Sequence, residues 1–307
     1  MLRKISIITP SLNRAHLLDS AVQSVANQHY PDCEHIIVDG GSTDGTEQIV
    51  HKYPGIRFVR DSDQGMYEAL NKGLEIAAGE IIGFLNTDDL YAENIFAAVS
   101  GMFADPDVMA ATGRAIVFSE LSDGKIEVVD RYIPEDRSLL ENLTTRGAFF
   151  NAWFFRRSTF DRIGRFNTSY KIVGDRDFML RFALNELKYT VIDDLVYKYR
   201  RHEDSLTFDK SGQKREWSAD EHLAMTRTYL AGQDLPGLAR KLLIQLRTLE
   251  TIDMAARSIW TRDYRKFIHY FVEGFRYNLA WPFAFFQYVL KRGVILLLTR
   301  RPVKRLS

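Results

Sequence analysis

The sequence predicts an α/β protein: a parallel sheet covered by helices, followed by a region made mostly of helices. Short apolar runs alternate with amphipathic segments up to about residue 103, which is typical of strand–helix units in a parallel sheet. Mixed, strand-rich sequence follows to about residue 200, and helical periodicity dominates from about residue 213. We therefore expect a first domain over residues 1–210 and a helical region over residues 211–307.

The elements of the first part follow from local patterns. Short apolar runs bounded by polar residues predict strands at 4–10, 35–38, 56–59 and 81–85. Apolar residues at helical spacing predict helices at 15–28, 46–53 and 66–78. Gly79 is expected to end the last of these helices, because glycine readily adopts the conformation that follows a helix.

The middle of the chain is predicted by the same criteria to add further strands and one helix. The strands are expected at 108–112, 115–118, 125–132, 190–192 and 195–199. The helix is expected at 178–185, after the segment Gly174-Asp175-Arg176-Asp177. Between these elements, residues 149–155 form a dense aromatic run.

Composition excludes several classes of protein. The apolar fraction of 46% and charged fraction of 26% are ordinary for a folded chain, and a net charge of +1 does not favour a nucleic-acid partner. A single cysteine, Cys33, excludes an internal disulfide framework and a cysteine-based zinc cluster. The N-terminus leads into a strand without the apolar segment of a signal peptide, so we expect a cytoplasmic location.

Acidic residues follow several predicted strands. Asp88 and Asp89 come directly after the strand at 81–85, while Asp39 and Asp63 lie in loops that follow other strands. Ligands bind at the carboxyl ends of strands in open α/β sheets, so these acids are expected to converge. Two adjacent carboxylates repel each other, and a divalent cation such as Mg²⁺ would compensate them. Taken alone, Asp88 and Asp89 fit the capping of a following helix equally well.

Four local patterns occur together in the first half of the chain. They are residues 5–14 (ISIITPSLNR), 38–46 (VDGGSTDGT), 63–73 (DQGMYEALNKG) and 86–89 (NTDD). In order and spacing they resemble the inverting family 2 glycosyltransferases, including those of bacterial exopolysaccharide and colanic-acid type. The resemblance covers about the first 200 residues. It implies the GT-A fold, which is a Rossmann-like nucleotide-binding sheet with an acceptor-side extension.

The resemblance also implies a reaction. The donor would be a nucleotide sugar, with a UDP-sugar favoured, and the acceptor a saccharide or a lipid-linked sugar in polysaccharide biosynthesis. The cofactor would be Mg²⁺ or Mn²⁺. The positions that match nucleotide-binding residues of the family are Thr9, Pro10, Asp39, Asp63 and, at the ribose, Asp88. Asp89 matches the metal-binding acid, and Glu68 stands where the family more often has an aspartate.

The attacking hydroxyl of an acceptor sugar needs a general base. Asp175 aligns with the family's catalytic base, although Gly174 stands where the family has a glutamate. The alternative is that Asp175 caps the following helix, a role that suits Asp177 better because it lies nearer the apolar part of that helix.

Two further segments carry expected site residues. His202 resembles a family histidine near the diphosphate, where it would ligate the metal or donate to phosphate, and Arg200 or Arg201 would add a phosphate contact. A structural or surface role for His202 is the alternative. Trp153 and Arg156 match the acceptor side, while core packing is the alternative for most of the aromatic residues nearby.

The C-terminal segment, residues 278–307, combines aromatic and aliphatic residues with basic ones and has no acid. Lys291 and Arg292 interrupt the apolar run, and a membrane span needs about 20 continuous apolar residues. We expect a helix that lies at the membrane surface, at the inner face of the cytoplasmic membrane. Packing onto the catalytic domain and formation of a homo-oligomer are the alternatives.

Two other functions fit parts of the sequence. A nucleotidyltransferase would share the nucleotide-binding sheet and the metal-binding acids, but it usually has a glycine-rich basic loop after the first strand, which residues 9–14 lack. A protein that binds nucleotide sugars without catalysis would keep the donor residues and need no general base.

Overall fold

The computed structural model of the chain describes residues 2–62, 65–121, 125–134, 138–145, 149–202, 213–232 and 234–299. The chain divides into two compact units, Met1–Lys210 and Ser211–Ser307. The strands are β1 (Ile5–Ser11), β2 (Cys33–Asp39), β3 (Ile56–Arg60), β4 (Ile81–Phe84), β5 (Leu90–Tyr91), β6 (Ala110–Glu120), β7 (Ile126–Tyr132), β8 (Trp153–Arg156) and β9 (Tyr189–Arg200). The helices are α1 (Ala15–Ala26), α2 (Thr46–Val50), α3 (Met66–Ile76), α4 (Phe96–Met102), α5 (Leu139–Thr145), α6 (Ser158–Ile163), α7 (Gly174–Leu184), α8 (Gln213–Ala231), α9 (Gly237–Trp260), α10 (Tyr264–Tyr277) and α11 (Trp281–Thr299).

The first unit is built on one mixed sheet with the strand order β3-β2-β1-β4-β8-β6-β9-β5, and β7 pairs with β6. Strands β1 to β4 are mutually parallel where they pair, whereas β8 is antiparallel to both β4 and β6. The carboxyl ends of β1, β2 and β4 therefore meet at one edge of the sheet, as the sequence predicts for a nucleotide-binding site.

Helices cover both faces of this sheet because β1 and its neighbours are apolar on both sides. Ile5 and Ile7 point to one face, where they join a buried cluster with residues of α1 and α4. Ile8 points to the opposite face and meets α3, where a Cβ added to Gly73 would lie 2.4 Å from the Ile8 side chain. Successive residues of a strand alternate between faces, so a continuous apolar run indicates a sheet buried on both sides.

Two pairs of predicted strands are each a single strand in the structure. The strands predicted at 108–112 and 115–118 are parts of β6, and those at 190–192 and 195–199 are parts of β9. The register between β6 and β9 shifts at Gly113 and Arg114, where Asp193 and Asp194 bulge out of β9. A bulge interrupts the apolar pattern without ending the pairing, which is why the sequence suggested a break.

A cluster of aromatic rings lies beside β4 and β8 and supports α7. Its members contact one another with ring centroids 5.0 to 6.4 Å apart, and they are Phe84, Phe150, Phe155, Phe160, Phe166, Phe178 and Phe182. The helix begins at Gly174, earlier than the predicted start at residue 178, so Asp175 and Asp177 lie in its first turn. Val173 occupies the N-cap position, which neither aspartate does.

The second unit consists of helices α8 to α11 around a small core that includes Leu223, Tyr270 and Trp281. Buried charges reinforce this core: Glu250 lies 2.6 Å from Arg215 and 3.1 Å from His222. Burial alone would raise the pKa of Glu250, but the contacts with His222 and Arg215 outweigh it and lower that pKa to about 2. Glu250 is therefore charged at neutral pH and joins α8 to α9.

Helix α11 has two different faces. Trp281 is fully buried, and Phe285 and Tyr288 pack against the same core. Phe283 and Phe286 are exposed, as is Leu279 in the turn before the helix. None of the helices in the described part of the chain is long and apolar enough to cross a membrane. Residues 300–307, which belong to the predicted membrane-surface segment, lie outside the described residues.

We expect Gly274→Ala to destabilise the helical unit by roughly 1–3 kcal/mol, as overpacked core substitutions do. A Cβ at residue 274 would lie 2.0 Å from Nε1 of Trp281, the atom that donates to Thr251 Oγ1 over 2.8 Å. The measurement is urea denaturation followed by circular dichroism. Gly101→Ala in α4 is the control, because a Cβ there meets no atom within 4 Å and should stabilise its helix by up to about 1 kcal/mol. Equal stability of the Gly274 variant and wild type would contradict this packing.

Candidate active site

The edge at the carboxyl ends of β1, β2 and β4 carries most of the predicted site residues. Thr9 lies in β1 with its side chain fully buried, and its Oγ1 is 2.9 Å from Nε2 of His35 in β2. Burial lowers the pKa of His35 to about 3, so this histidine is neutral at physiological pH. The Thr9 side chain thus joins β1 to β2 and is not available to a nucleotide, while the neighbouring Pro10 is half-buried at the sheet edge.

Asp39 ends β2 and organises the turn that follows it. Its Oδ2 accepts hydrogen bonds from the backbone N–H of Gly41 (3.2 Å) and Ser42 (2.8 Å), and its Oδ1 accepts one from the Ser42 hydroxyl. Asn13, in the loop after β1, accepts from the backbone N–H of Thr43 at 2.9 Å. The loops after β1 and β2 are thereby fixed to each other. The contact made by Asn13 was not predicted from the sequence.

Asp89 is fully buried, and its carboxylate accepts three hydrogen bonds. Its Oδ2 accepts from the hydroxyl of Tyr197 (2.8 Å) and from Nδ2 of Asn86 (3.1 Å), and its Oδ1 accepts from the backbone N–H of Arg200 (2.8 Å). Burial, followed by the charge of Asp88, raises the pKa of Asp89 to about 8, although the three donors act in the opposite direction. This carboxylate faces the protein interior, so its position does not match the metal-binding role that the resemblance implies.

Asp88 is the acid that faces outward. Its Oδ2 lies 2.9 Å from Nε2 of His202, and about one-fifth of each side chain is exposed. His202 follows directly after β9, far from Asp88 in sequence. Neither Asp88 nor Asp89 caps a helix, since α4 begins only at Phe96 with Ile95 at its N-cap. His202, the predicted histidine, therefore contacts Asp88, whereas Asp89 is buried in the interior.

Arg200 and Arg201 differ in what they can contact. The Arg200 guanidinium is buried, donates to the backbone carbonyl of Asp88 (2.9 Å) and to Ser20 Oγ (2.9 Å), and pairs with Glu120. Arg200 is thus occupied within the protein and supports the loop that carries Asp88. Arg201 is exposed beside His202, which makes it the better candidate for the expected phosphate contact.

Asp175 lies in the first turn of α7, beside α3. Its Oδ1 is 3.3 Å from the hydroxyl of Tyr67 and accepts the backbone N–H of Arg176 at 2.7 Å. Asp177, the other acid of this turn, is buried and forms an ion pair with Arg181 at 2.9 Å. Of the two acids, Asp175 is the residue that is only partly buried.

The two residues predicted for the acceptor side are structural. Trp153 is only 1% exposed and packs against Phe155, Phe182 and Tyr189. Arg156 donates to the backbone carbonyls of Phe103, Asp105 and Val108 and pairs with Glu80. Core packing, the alternative stated for the aromatic residues, describes Trp153, whereas Arg156 is held by backbone carbonyls and an ion pair.

Two other predicted positions need separate mention. Asp63 lies outside the described residues. Glu68 forms a pair with Lys72 (3.3 Å), which also contacts Asp61 (2.9 Å). Within the described ranges, no three His, Cys, Asp or Glu side chains are grouped so that they could hold a metal ion on their own.

Comparison with known proteins identifies the family. The model of "Glycosyl transferase family 2" matches residues 6–164, just over half of the chain. The chain belongs to glycosyl transferase family 2. A PGL/p-HBAD biosynthesis glycosyltransferase of Mycobacterium bovis is 33% identical over 189 residues, which span 59% of this chain and 70% of that protein. The minor teichoic acid biosynthesis protein GgaA of Bacillus subtilis is 26% identical over 211 residues, 65% of this chain and 47% of that protein.

Solved structures confirm the GT-A fold that was expected for this family 2 glycosyltransferase. Residues 1–349 of S. aureus TarS in complex with UDP-GlcNAc superpose with a TM-score of 0.68 at 17% identity, covering 89% of this chain and 81% of that one. The mannosyltransferase PcManGT of Pyrobaculum calidifontis, in complex with GDP-Man and Mn²⁺, has a TM-score of 0.56 at 17% identity, covering 91% and 88%. The family match and the relatives named as glycosyltransferases confirm the transferase assignment.

We expect Asp89→Ala to destabilise this glycosyltransferase far more than Asp88→Ala. The first change leaves the buried donors of Tyr197 and Arg200 without an acceptor, at about 1–3 kcal/mol for each. The second removes a partly exposed carboxylate and should cost less than about 1 kcal/mol. Urea denaturation of both variants without nucleotide or metal provides the measurement. Similar losses for the two variants would show that Asp89 is not the structural member of the pair.

Proposed function

We propose that this protein is a metal-dependent, inverting glycosyltransferase. It transfers a sugar from a nucleotide-sugar donor, with a UDP-sugar favoured, to a saccharide or lipid-linked acceptor in polysaccharide biosynthesis. The observation that carries the proposal is the contact of Asp88 with His202 at the carboxyl end of β4, at the edge where the loops after β1 and β2 also meet.

We assign the metal to Asp88 and His202 instead of Asp89. A carboxylate oxygen and an imidazole nitrogen are both suitable ligands for Mn²⁺, and Mg²⁺ commonly takes one or two protein carboxylates together with substrate phosphates. Two protein ligands at this edge therefore fit a cation whose remaining ligands come from the donor. When bound, such a cation neutralises the charge of the departing diphosphate. The exposed position of Arg201 next to His202 supports a contact with the same phosphates.

The reaction is a single displacement in which Asp175 acts as the general base. The acceptor hydroxyl oxygen bonds to the anomeric carbon of the donor sugar while the bond from that carbon to the phosphate oxygen breaks. Asp175 takes the hydroxyl proton, and the nucleoside diphosphate leaves with the bonding electrons. Attack from the face opposite the leaving group inverts the configuration at the anomeric carbon.

A nucleotide-sugar donor is supported by the structural neighbours. TarS is seen with UDP and with UDP-GlcNAc, and PcManGT with GDP-Man and Mn²⁺. For the acceptor, the printed names of relatives mention teichoic acid and PGL/p-HBAD biosynthesis. Both names describe biosynthesis, which supports a biosynthetic role for this transferase.

Isothermal calorimetry with UDP and GDP, each with and without Mn²⁺, tests the metal and donor assignment. We expect wild type to bind UDP more tightly with Mn²⁺, and Asp88→Ala to lose at least about tenfold of that metal-dependent affinity. Asp175→Asn is the matched control for binding, because it should keep the affinity for UDP and Mn²⁺ within about twofold. Its turnover should fall by about 10²–10⁴, the usual contribution of a general base.

Each departure from this result has a defined meaning. Equal affinity with and without Mn²⁺ would refute the metal dependence, and preference for GDP would refute the UDP assignment. Full activity of Asp175→Asn would remove Asp175 as the base. Donor binding by wild type without turnover of any nucleotide sugar would favour a protein that binds nucleotide sugars without catalysis.

We also propose that the helical region, residues 211–307, binds anionic lipids at the inner face of the cytoplasmic membrane. Helix α10 exposes apolar residues at a spacing of three or four, and the spacing continues through the turn into α11. These exposed residues are Tyr264, Ile268, Val272, Phe275, Leu279, Phe283, Phe286 and Leu290. We call this set the apolar stripe. The opposite faces of both helices are buried in the core of the helical unit, so the stripe is not needed to complete that core.

The charges beside the stripe favour lipid over a second copy of the chain. Arg265 and Arg276 directly follow stripe residues and are exposed, as expected for an amphipathic helix at a membrane surface. The sequence holds no acid after Glu273, and the basic residues there include several within 278–307. Two copies meeting through this segment would bring like charges together, whereas anionic head groups attract them.

Sedimentation with vesicles tests this contact. We expect wild type to bind vesicles that contain phosphatidylglycerol and to bind phosphatidylcholine vesicles much less, and the doubly substituted Phe283→Ser, Phe286→Ser protein to lose at least about tenfold in affinity. Gln287→Ser, at an exposed position of the same helix, is the control and should bind like wild type. Absence of binding to either vesicle, or binding unaffected by the double substitution, would contradict the proposal. A concentration-dependent dimer without vesicle binding would support oligomerisation instead.

A further inference from the structure

Tyr67 connects the donor side of the site to the proposed base. It lies in the first turn of α3 and is 2% exposed. Its hydroxyl donates to the backbone carbonyl of Ile172 at 2.8 Å and lies 3.3 Å from Oδ1 of Asp175. A buried tyrosine hydroxyl is therefore directed at the turn that begins α7 and at the carboxylate in it.

The chain leaves room for this ring only because residue 174 is glycine. A Cβ at Gly174 would lie 2.7 to 2.9 Å from Cε2, Cδ2 and Cζ of Tyr67. Such distances are too short for ordinary packing, so any larger residue would displace the tyrosine or the start of α7. The glycine that departs from the family pattern is thus explained by the close approach of Tyr67.

Other contacts hold Tyr67 in place independently of its hydroxyl. Its ring stacks on Phe166, with centroids 5.7 Å apart. Asn71, one turn further along α3, donates to the carbonyl of Phe166 (2.9 Å) and accepts its N–H (3.0 Å). The ring stacking holds the Tyr67 side chain, and the two Asn71 bonds separately fasten α3 to the segment before α7.

We propose that Tyr67 is a positioning residue for Asp175. Its hydroxyl shares one proton between the Ile172 carbonyl (2.8 Å) and Oδ1 of Asp175 (3.3 Å), and with the backbone N–H of Arg176 (2.7 Å) it orients the carboxylate towards the acceptor hydroxyl. An oriented base lowers the barrier because fewer rearrangements are needed to reach the transition state. The inference rests on the proposed function of Asp175 as the general base.

Tyr67→Phe tests the proposal, since it removes the hydroxyl and keeps the ring that packs against Gly174. We expect kcat to fall about tenfold, while the KM for the donor and the affinity for UDP with Mn²⁺ stay within about twofold of wild type. In the Asp175→Asn background the same change should cause no further loss of kcat, because the group that the hydroxyl orients is gone. A purely structural role would reduce kcat equally in both backgrounds.

Asn71→Ala is the matched control for loosening of the segment before α7. It breaks the contacts with Phe166 and leaves the Tyr67 hydroxyl intact, so it should lower the melting temperature and leave kcat within about twofold. Unchanged kcat in Tyr67→Phe, or an equal loss in Asn71→Ala, would overturn the positioning role. Full activity of Asp175→Asn would instead mean that the base assignment itself has failed, whatever Tyr67→Phe shows.

Discussion

The buried carboxylate of Asp89 is the contact on which the arrangement of the site depends. It accepts hydrogen bonds from the Tyr197 hydroxyl and the Arg200 backbone, both in β9, while lying directly after β4. These bonds hold the end of β9 against the loop after β4, which brings His202 to Asp88. A charge in the interior is costly unless donors surround it, and here three donors do so. Burial nevertheless raises the pKa of Asp89 to about 8, so the site includes an acid whose charge is sensitive to its surroundings.

The two adjacent acids thus differ in exposure and in what they contact. Asp88 remains at the surface and faces His202, whereas Asp89 supports the backbone from behind. Arg200 reinforces the same loop by donating to the Asp88 carbonyl and stacking over Phe118. The raised pKa of Asp89, caused by burial and then by the charge of Asp88, favours its protonated form, which limits the repulsion between the two neighbours. A residue that looks catalytic in a motif can in this way be the scaffold for its neighbour.

The helical unit shows a similar division between interior and surface. Its helices are apolar on more than one side, and only one side can pack into a core of this size. Trp281 and Tyr270 are taken into the core, and the buried pair of Arg247 with Glu273 lies beside them. The residues of the apolar stripe lie outside this core and are exposed. The membrane proposal follows from this surplus and from the basic residues beside it.

Much of the fold followed from local patterns, because strand and helix periodicity depend on near neighbours. The parallel order of β1, β2 and β4, the helices on both faces and the edge that collects the loops are all consequences of alternating apolar segments. The family motifs added the GT-A fold and the acids at residues 88, 89 and 175. The bulge in β9 was not visible, since a bulge and a loop interrupt the apolar pattern in the same way.

The sequence by itself determined that Asp88, Asp89, Asp175 and His202 are candidates, because residue type and motif position specify chemistry. Only the tertiary structure decided what each of them faces. Asp88 and Asp89 are neighbours of the same type in one motif, and their roles separate only when β9 supplies donors to one and a histidine to the other. Trp153 and Arg156 were assigned to the acceptor side for the same reason. Whether a side chain meets solvent or the core depends on strands and helices distant in sequence.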